Sequence, residues 1–491
     1  MECAKIHPLD LPEILASIGM FLNHSSLVTC FRVSKLWYRV LLPGLWGVAR
    51  VDFQGCLGNP ALSLIQKHTS FIKSLNIFDC NSALVLFHSV ATFPILANLV
   101  IRHTSWGQQF DDPPLVDFIQ RHRKTLKSVT MNQHATDAVL EALEDCPRLE
   151  SLTLENQDHV LDSTGWIRRL QRLWSRLHKM SLASDDKRCL PKSLATTAMD
   201  GPRSNVPNRI QDLRLSFNRP ETIPKFSSWI VKQCPDLVRL DWFCAQEDSG
   251  SPMEQLVDIF QKDPTFGKKL VDITLRQRDF KNSNLRSLME SLVLLRRLSL
   301  SSRKFDQESW TILRTTNPDH LKTLTDLHLL KCRLLPAKAI HQMLCEMPSL
   351  KVFVAAAVED KEMVEDLRPW VCLDMVELTL QFWITGFSKD PSVRSLAIKR
   401  YLARVGQLKR LEVLRRFLPM DEQGCFIPLV VEGELDALKD LRRLRDVDWA
   451  RNLTGENEVR WMLENYPLMQ EPMRVRLQAT LDRGKCSQSN K

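Results

Sequence analysis

The sequence predicts an α/β fold, in which a curved parallel sheet of repeated strands carries helices on its convex side and follows a small all-α segment. Three observations lead to this prediction. One leucine-rich pattern recurs from residue 72 onward, stretches of helical periodicity separate its copies, and the pattern is missing from the first part of the chain. A chain of 491 residues exceeds one compact core, so several domains or one long repeat array are expected.

The recurring pattern is an apolar residue, two variable residues, a second apolar residue, one variable residue and a third apolar residue. It occurs fourteen times, and its middle apolar residues are Leu75, Leu99, Val129, Leu152, Met180, Leu213, Leu240, Ile273, Leu298, Leu327, Phe353, Leu378, Leu411 and Val447. The mean spacing is about 29 residues, which is typical of leucine-rich repeats. One copy cannot bury its own apolar edge, so neighbouring copies are predicted to stack as a solenoid.

Helical segments separate these strand cores. Residues 251–254 match a capping box with proline at the first helical position. An apolar stripe between residues 138 and 143 ends at Cys146-Pro147, where proline stops the helix before the next strand. Cys234-Pro235 and Met347-Pro348 repeat this junction. A helix, a proline stop and a strand that recur together favour a leucine-rich-repeat solenoid.

Four segments are predicted along the chain. They are a helical domain at 1–50, a connecting or capping segment at 51–70, an array of irregular repeats at 71–455, and a C-terminal capping helix with a polar tail at 456–491. Residues 184–208 carry Lys-Arg, Gly-Pro and a further proline, which predicts an exposed loop. In the capping helix, Val459, Met462 and Leu463 are predicted to face inward.

Composition narrows the class of protein. The apolar content of 44% and the charged content of 25% are typical of folded soluble proteins. No apolar run is long enough to span a bilayer and no signal-peptide core begins the chain, so a cytoplasmic or nuclear protein is expected. The 13 cysteines include no Cys-x-x-Cys pair, which predicts free thiols and no zinc site.

Side chains alternate along a strand, so the residues between the apolar positions are predicted to line the concave face. The basic residues predicted there are Arg102, Lys179, Arg214, Arg239, Arg276, Arg297 and Arg410. The acidic residues are Glu155, Asp212, Asp241, Asp272, Asp326, Glu377, Glu412, Asp446 and Asp448. The face is therefore predicted to be slightly acidic despite a net charge of +9, and nucleic acid, which needs a basic surface, is not expected as a partner.

Two concave stretches are apolar, namely Val352, Val354 and Ala356 on one strand and Phe243 beside Trp242 on another. Such patches either bind a partner or are covered by a loop or the C-terminal helix. The excess positive charge lies in four runs, at 121–124, 168–172, 399–404 and 442–445. Most of these runs fall on predicted helices, where a solvated convex face is favoured over a dedicated anion site.

No catalytic chemistry is predicted. The chain has no nucleophile elbow, P-loop, dinucleotide-binding fingerprint or His-Glu-x-x-His motif. Its histidines are scattered without the spacing of metal ligands, so neither a metal nor a cofactor is expected. The chain is therefore predicted not to be an enzyme.

Residues 9–46 contain three apolar runs. Pro12 precedes Ile14, Leu15 and Ile18, which predicts a helix with proline in its first turn. Residues 23–26 break this pattern, a second run reaches Val33, and a third begins at Leu36 and is followed by Pro43-Gly44. A core this small barely offsets chain entropy, so the segment is expected to need a partner.

This segment resembles an F-box. The resemblance rests on Leu-Pro-Glu-Ile-Leu at 11–15, Ser-Leu at 26–27, Val-Ser-Lys-Leu-Trp-Tyr at 33–38 and Leu-Trp at 45–46. The usual motif has one more residue after the proline, and commonly a cysteine where Ser34 stands. The resemblance implies docking to a Skp-family adaptor of a cullin ubiquitin ligase, with adaptor contacts and the core behind them supplied by Leu11, Pro12, Ile14, Leu15, Leu27, Val33 and Trp37.

The repeat array resembles the leucine-rich-repeat half of F-box proteins, which implies a substrate-recognition subunit of an SCF-type ubiquitin ligase. The target protein would bind the concave face, for which the candidate contacts are Arg214, Arg239, Asp241, Phe243, Arg276, Arg297, His328, Val352 and Val354. Two alternatives remain open. In the first alternative, the chain is a leucine-rich-repeat scaffold unrelated to ubiquitin, and its N-terminal helices only cap the array. The weaker alternative is binding of RNA or anionic lipid through the convex basic helices.

Overall fold

The computed structural model describes residues 9, 11–51, 60–78, 92–102, 112–132, 135–155, 164–184, 208–217, 231, 233–244, 252–262, 266–277, 281–301, 305–329, 332, 334–383, 391–415, 419–420, 431, 434–447, 456–475 and 477–479. The chain forms two compact units, Met1–Leu237 and Val238–Lys491, here called unit 1 and unit 2. The predicted loop at 184–208, apart from its two end residues, and the polar tail from residue 484 lie outside the described residues.

Unit 1 opens with three helices and continues as alternating strands and helices. Its helices are α1 (Pro12–Gly19), α2 (His24–Cys30), α3 (Lys35–Trp46), α4 (Pro60–Lys67), α5 (Asp112–His122), α6 (Asp137–Glu144) and α7 (Thr164–Trp174). Its strands are β1 (Val48–Val51), β2 (Ser74–Ile77), β3 (Asn98–Ile101), β4 (Ser128–Met131), β5 (Ser151–Leu154), β6 (Lys179–Ser184) and β7 (Asp212–Phe217). These strands pair in parallel and in chain order.

Unit 2 repeats the same alternation. Its helices are α8 (Pro252–Lys262), α9 (Asn282–Ser291), α10 (Gln307–Thr316), α11 (Asp319–Thr323), α12 (Ala337–Glu346), α13 (Asp360–Glu365), α14 (Pro391–Gly406) and α15 (Glu456–Asn465). Its strands are β8 (Arg239–Cys244), β9 (Asp272–Gln277), β10 (Arg297–Leu300), β11 (Asp326–His328), β12 (Val352–Glu359), β13 (Glu377–Trp383), β14 (Val413–Arg415), β15 (Pro419–Met420) and β16 (Asp446–Val447). The strands are parallel, and β15 pairs with the end of β13.

The first three helices begin where local chemistry favours a helix start. Pro12 is the first residue of α1, as predicted, because its missing N–H has no partner to lose there. Asn23 caps α2, since its side-chain oxygen accepts from the Ser26 N–H at 2.8 Å. Ser34 caps α3 in the same way, accepting from the Trp37 N–H at 3.2 Å.

Two details of this segment differ from the prediction. Ser25 and Ser26 lie in the first turn of α2, because the cap is the residue before His24. Helix α3 continues through Pro43 to Trp46, whereas the sequence indicated an interruption. Pro43 is exposed, so water can satisfy the carbonyl group that the proline leaves without a helical donor.

The predicted leucine-rich repeat is present in both units. In each pair of neighbouring strands the middle apolar residues stand in register, for example Leu75 beside Leu99 and Leu298 beside Leu327. The strands of unit 1 alternate between half-exposed and buried residues, as predicted for a sheet covered on one face. The expected fold class, a parallel sheet with helices packed on its apolar face, is confirmed.

Two features of the repeat differ from the prediction. Strand β1 is an additional strand that places Ala49 in register with Leu75, and it spans the predicted boundary at residue 50. The thirteenth core is centred on Leu414, which pairs with Leu378, and not on Leu411. Leucines at 408, 411 and 414 offer two overlapping frames, and α14 fixes the later one because it reaches residue 406. The other segment boundaries stay predictions.

Helix α15 is the predicted capping helix at the end of the array. Val459 and Met462 are buried as expected, and Leu463 is half-buried. Tyr466, the residue that follows the helix, is also buried. The capping box before α8 includes Ser251, which lies outside the described residues, although α8 does begin at Pro252.

Gly406 is required where α14 ends. A Cβ atom there would lie 2.0 Å from the Ala437 carbonyl oxygen, whereas a Cβ on Gly44, inside α3, would meet no atom within 4 Å. We expect Gly406→Ala to lower the free energy of unfolding by about 1–3 kcal/mol through overpacking. Gly44→Ala should raise it by roughly 0.5–1 kcal/mol, because alanine favours the helix. Thermal unfolding of both variants measures this, and equal melting temperatures for the two would contradict the close packing at Gly406.

Candidate interaction surfaces

The predicted adaptor-binding residues divide into an exposed group and a buried group. Leu11 and Ile14 are each 38% exposed, Val33 is 61% exposed and Pro12 is also exposed. Trp37 is half-buried. The first four residues therefore lie on the surface of the helical segment and are accessible to a partner.

Leu15 and Leu27 are buried and form the core behind this surface. With Leu41 they hold α1 and α2 against α3. The helices approach closely at Gly19, where a Cβ would lie 2.6 Å from a methyl group of Leu41. Leu15 and Leu27 thus support the exposed residues and do not contact an outside protein themselves.

Four further apolar side chains, which the sequence pattern did not indicate, are exposed on these helices and in the turn that follows α1. Met20 is 78% exposed, Phe21 is 87% exposed, and Val28 and Tyr38 are more than 40% exposed. Helical periodicity could not find Met20 and Phe21, since they lie in the turn that follows α1. Single exposed apolar residues occur elsewhere in the chain, but several within one short helical segment extend the candidate surface.

Helix α3 also contacts the repeats. The Trp46 ring stacks on His68 with 4.4 Å between ring centroids. The Gly47 carbonyl accepts hydrogen bonds from the Lys73 and Ser74 N–H groups, each at 3.0 Å. The end of α3 is therefore packed against and hydrogen-bonded to the start of the sheet, while most of the exposed apolar residues belong to α1, α2 and the turns beside them.

The face of the unit 1 sheet that the sequence predicted to be concave, here called the concave face, is mostly uncharged. Its strand residues include Ser74, Asn76, Asn98, Ser128, Thr130, Ser151 and Thr153, which are half-exposed. Lys179 pairs with Asp212 at 3.4 Å. Arg214, a predicted target contact, is exposed on β7, and the other eight candidates belong to unit 2.

In unit 2, charged residues alternate across neighbouring strands. The in-register row on β8, β9, β10 and β11 is Arg239, Asp272, Arg297 and Asp326. Arg297 joins both aspartates, with Nη1 3.3 Å from Asp272 and Nη2 3.0 Å from Asp326. Arg276 pairs with Asp241 at 2.7 Å on the same face. The fold thus brings five of the predicted target-binding candidates, with Phe243 beside Arg276, onto three adjacent strands.

The two signs of charge in this row lie at different depths. The Asp272 and Asp326 side chains are each 16% exposed and that of Asp241 is 15% exposed. The Arg297 and Arg276 side chains, in contrast, are 47% and 48% exposed. Burial raises the pKa of the Asp272 carboxyl, and the neighbouring arginines oppose that rise. On these strands the outermost charged groups are therefore guanidinium groups, whereas the slightly acidic balance expected of the whole face stays a prediction.

The predicted apolar concave patches are only partly present. Val352 is half-buried, but Val354 is only 8% exposed, between His328 and Thr379 in the same register. Trp242 is buried among the core residues, so Phe243 alone contributes aromatic surface. Burial lowers the pKa of His328, and the nearby Asp326 opposes this shift. Side chains on neighbouring strands crowd this part of the sheet, which is why Val354 is not accessible.

The corrected thirteenth repeat changes the inner-face residues. Arg410 precedes β14 and pairs with Asp374 at 3.1 Å, so it is not in the row described above. Glu412 likewise precedes the strand and pairs with Arg445. Arg415, which the sequence pattern did not indicate, takes the inner position on β14 and pairs with Asp446 at 2.7 Å. The sequence pattern missed Arg415 because it centred this strand core on Leu411, three residues before the true centre at Leu414.

The basic runs bind neighbouring repeats. Arg169 and Arg172 on α7 pair with Glu141 and Glu144 on α6, at 3.0 and 3.2 Å. Arg400 and Arg404 on α14 donate to carbonyl groups of residues 364 and 366. In the first run, His122 is buried and accepts from the Phe93 N–H. These cations connect adjacent repeats, so a solvated convex face is only part of their role.

One cluster in unit 2 combines a thiol, an imidazole and a carboxylate. Buried His341 on α12 lies 3.5 Å from the Cys345 sulfur and 3.3 Å from Asp366 through the same ring nitrogen, Nε2. Its Nδ1 accepts from the Trp370 indole N–H at 3.4 Å, so the ring proton is on Nε2. Nε2 therefore cannot take the thiol proton, and burial raises the pKa of Cys345. The cluster connects α12 to the segment after α13 and does not activate a nucleophile.

This cluster predicts a pH-dependent stability. Burial, with Arg404 nearby, lowers the pKa of His341 from 6.5 to about 4 in the folded chain. As the pH falls, the unfolded chain binds the proton first, so stability is lost between pH 6.5 and 4, by up to roughly 3 kcal/mol. We expect His341→Gln to flatten the dependence of urea unfolding on pH in this range, with exposed His24→Gln as the control. An unchanged slope in His341→Gln would contradict this role of the imidazole.

The remaining candidate chemistry is limited. Cys146, Cys234, Cys332 and Cys372 are buried and form no disulfide, and burial raises the pKa of Cys146 to about 11 and that of Cys372 to about 12. Among the described residues, no group of three or more His, Cys, Asp or Glu side chains is placed to hold a metal ion. None of the helices in the described ranges has the length and apolar character needed to cross a bilayer.

Comparisons with known proteins gave the following results. No family model and no curated protein matches the chain. Among solved structures, a chain in the yeast Rad7 and Elc1 complex is similar over 76% of this chain and 88% of its own, with 14% identity and a TM-score of 0.40. The leucine-rich repeat-containing protein LegL7 from Legionella pneumophila is similar over 80% of this chain and 97% of its own, with 10% identity and a TM-score of 0.33.

Proposed function

We propose that this chain is the non-catalytic substrate-recognition subunit of an SCF-type ubiquitin ligase. The N-terminal helices dock a Skp-family adaptor, and through it a cullin, while the concave face of the repeats binds a target protein. The observation that carries this proposal is the exposed apolar surface of the N-terminal helices and the turns that flank them, which includes Leu11, Ile14, Phe21 and Val33. A helical segment with this much apolar surface in water is stabilised when a partner covers it.

The energetics favour a protein partner at this surface. Fully burying one large apolar side chain that was exposed contributes about 1.5–3 kcal/mol, and the partly exposed Leu11 and Ile14 contribute less, so these residues together offset part of the cost of association. Leu15, Leu27 and Leu41 hold the helices from behind, which keeps the exposed residues in fixed positions before binding. A preformed apolar surface of this kind suits docking to a stable subunit better than binding to a flexible peptide.

In this proposal the chain makes no covalent bond itself. Holding a target near a charged ubiquitin-conjugating enzyme turns a collision into an intramolecular encounter, which raises the effective concentration of the target's lysines. The arrangement around His341 and Cys345 is consistent with a chain that lacks a nucleophile. Pairing of Arg169 and Arg172 with glutamates on α6 likewise disfavours RNA or anionic lipid as the main partner.

A second candidate function is a repeat scaffold whose N-terminal helices only close the array. It is favoured by the stacking of Trp46 on His68 and by the hydrogen bonds to the Gly47 carbonyl. Deleting residues 1–48 would not separate the two functions, because it removes Trp46 and the first residue of β1. Substitutions confined to the exposed side chains separate them, since these side chains do not contribute to capping.

We expect Phe21→Asp/Val33→Asp to weaken binding of a purified Skp-family adaptor by roughly 30-fold or more, because each charge faces an apolar partner surface. The melting temperature should stay within a few degrees of wild type, as both residues are exposed. Isothermal titration calorimetry of full-length chains measures the affinity.

Leu367→Asp/Leu468→Asp is the matched control, since these two leucines are 70% and 60% exposed but lie in unit 2. It should bind the adaptor as wild type does. A wild-type chain that binds no adaptor, or a docking variant that binds as tightly as the control, would leave the scaffold function as the better account.

A further inference from the structure

We propose that the concave face of β8, β9 and β10 binds an acidic segment of its protein partner, through Arg239, Arg276 and Arg297. This inference rests on the proposed function, in which the concave face holds the target, and it adds the chemistry of the bound segment. It concerns unit 2 alone.

On this face the acidic and the basic side chains lie at different depths. In the pairs formed by these arginines, the aspartate is 15–16% exposed and the arginine is 47–61% exposed. Single pairs elsewhere in unit 2 show the same order, such as Arg314 at 48% and Glu346 at 17%, but here three such arginines lie on three adjacent strands. On the concave face the short aspartate stays near the strand, while the longer arginine extends above it. The exposed layer therefore consists of guanidinium groups.

Two of these three guanidinium groups are already held in place by hydrogen bonds. Arg297 is fixed between Asp272 and Asp326, and Arg276 by Asp241. Ordering a mobile arginine on binding costs up to about 2 kcal/mol of side-chain entropy. The aspartates already order these side chains in the folded chain, so most of that loss does not occur on binding. A carboxylate that arrives at the exposed edge of such a guanidinium forms a charge-assisted and often bidentate pair.

The three guanidinium groups are spaced across and along the strands. Arg239 and Arg297 flank Asp272 in one register, two strands apart, so their backbones are about 10 Å from each other. Arg276 lies four residues further along the middle strand than Asp272, which is about 13 Å. Thr274 and Ser299 lie within this area on β9 and β10, and Phe243 borders Arg276. Three separated guanidinium groups with hydroxyl groups nearby fit several carboxylates along one segment.

The same geometry disfavours a nucleic acid. Binding of a polyanion depends on a long-range positive field and on release of its counterions. Here Asp241, Asp272 and Asp326 lie directly beneath the arginines and offset that field. Short-range contacts with individual carboxylates remain available, because they depend on geometry more than on net charge.

The test is a selection of random 12-residue displayed peptides on the full-length chain. Aspartate and glutamate should be enriched in the selected peptides, and a fluorescein-labelled copy of the most enriched one is then titrated by anisotropy. R239Q/R276Q/R297Q should weaken binding of this peptide by about tenfold or more for each arginine that the peptide engages. R239K/R276K/R297K, which keeps the charge and the fold but not the planar fork, should weaken it by a smaller factor.

R314Q/R410Q/R460Q is the matched control, because it removes three exposed arginines of unit 2 that pair with acids outside this face. It should bind the peptide as wild type does. Selected peptides without acidic residues, or equally weakened binding in both glutamine variants, would overturn the inference. Tighter binding of a phosphoserine peptide or of a single-stranded oligonucleotide through the same arginines would overturn it in favour of that ligand.

The same preparations are tested for adaptor binding. Adaptor binding without acidic enrichment would overturn this inference alone. Acidic enrichment without adaptor binding would overturn the proposed role of the N-terminal helices and leave the concave site in place.

Discussion

The structure depends on a common register in which each repeat strand buries its middle apolar residue, usually together with a second one two positions later. Leu298 stands beside Ile273 and Leu327, and the same alignment relates the other strands of each unit. Because side chains alternate, fixing this residue on the covered face fixes its two neighbours on the open face. Every row of the concave surface, including the row of alternating charges, is therefore a consequence of how the core aligns.

This alignment places opposite charges next to each other, but the lengths of the side chains decide which sign a partner meets. Aspartate carboxylates such as Asp272 stay near the backbone and lose water, whereas Arg297 reaches over them and stays half-exposed. On the helices the basic residues have a different role. Arg172, for example, pairs with Glu144 of the preceding helix and so connects adjacent repeats. In our proposal, one residue type therefore serves recognition on one face, while it connects adjacent repeats on the other.

The N-terminal helices have two faces with different roles. Leu15, Leu27 and Leu41 form a small core. The Trp46 ring, at the end of α3, stacks on His68 and so connects the helical segment to the first repeats. The opposite side keeps Phe21 and Val33 in water. A segment this small gains stability from the array through α3, which leaves α1 and α2 available for a second protein.

Local chemistry in the sequence determined much of the molecule. Pro12, Asn23 and Ser34 set the starts of three helices, and the leucine spacing located thirteen of the fourteen predicted strand cores, because caps and alternation act over a few residues. Only the tertiary structure decided the rest. Leucines at 408, 411 and 414 allow two frames, and the pairing of Leu414 with Leu378 selects one. The burial of Val354 and the depth of Asp272 beneath Arg297 likewise depend on neighbouring strands, which come from distant parts of the sequence.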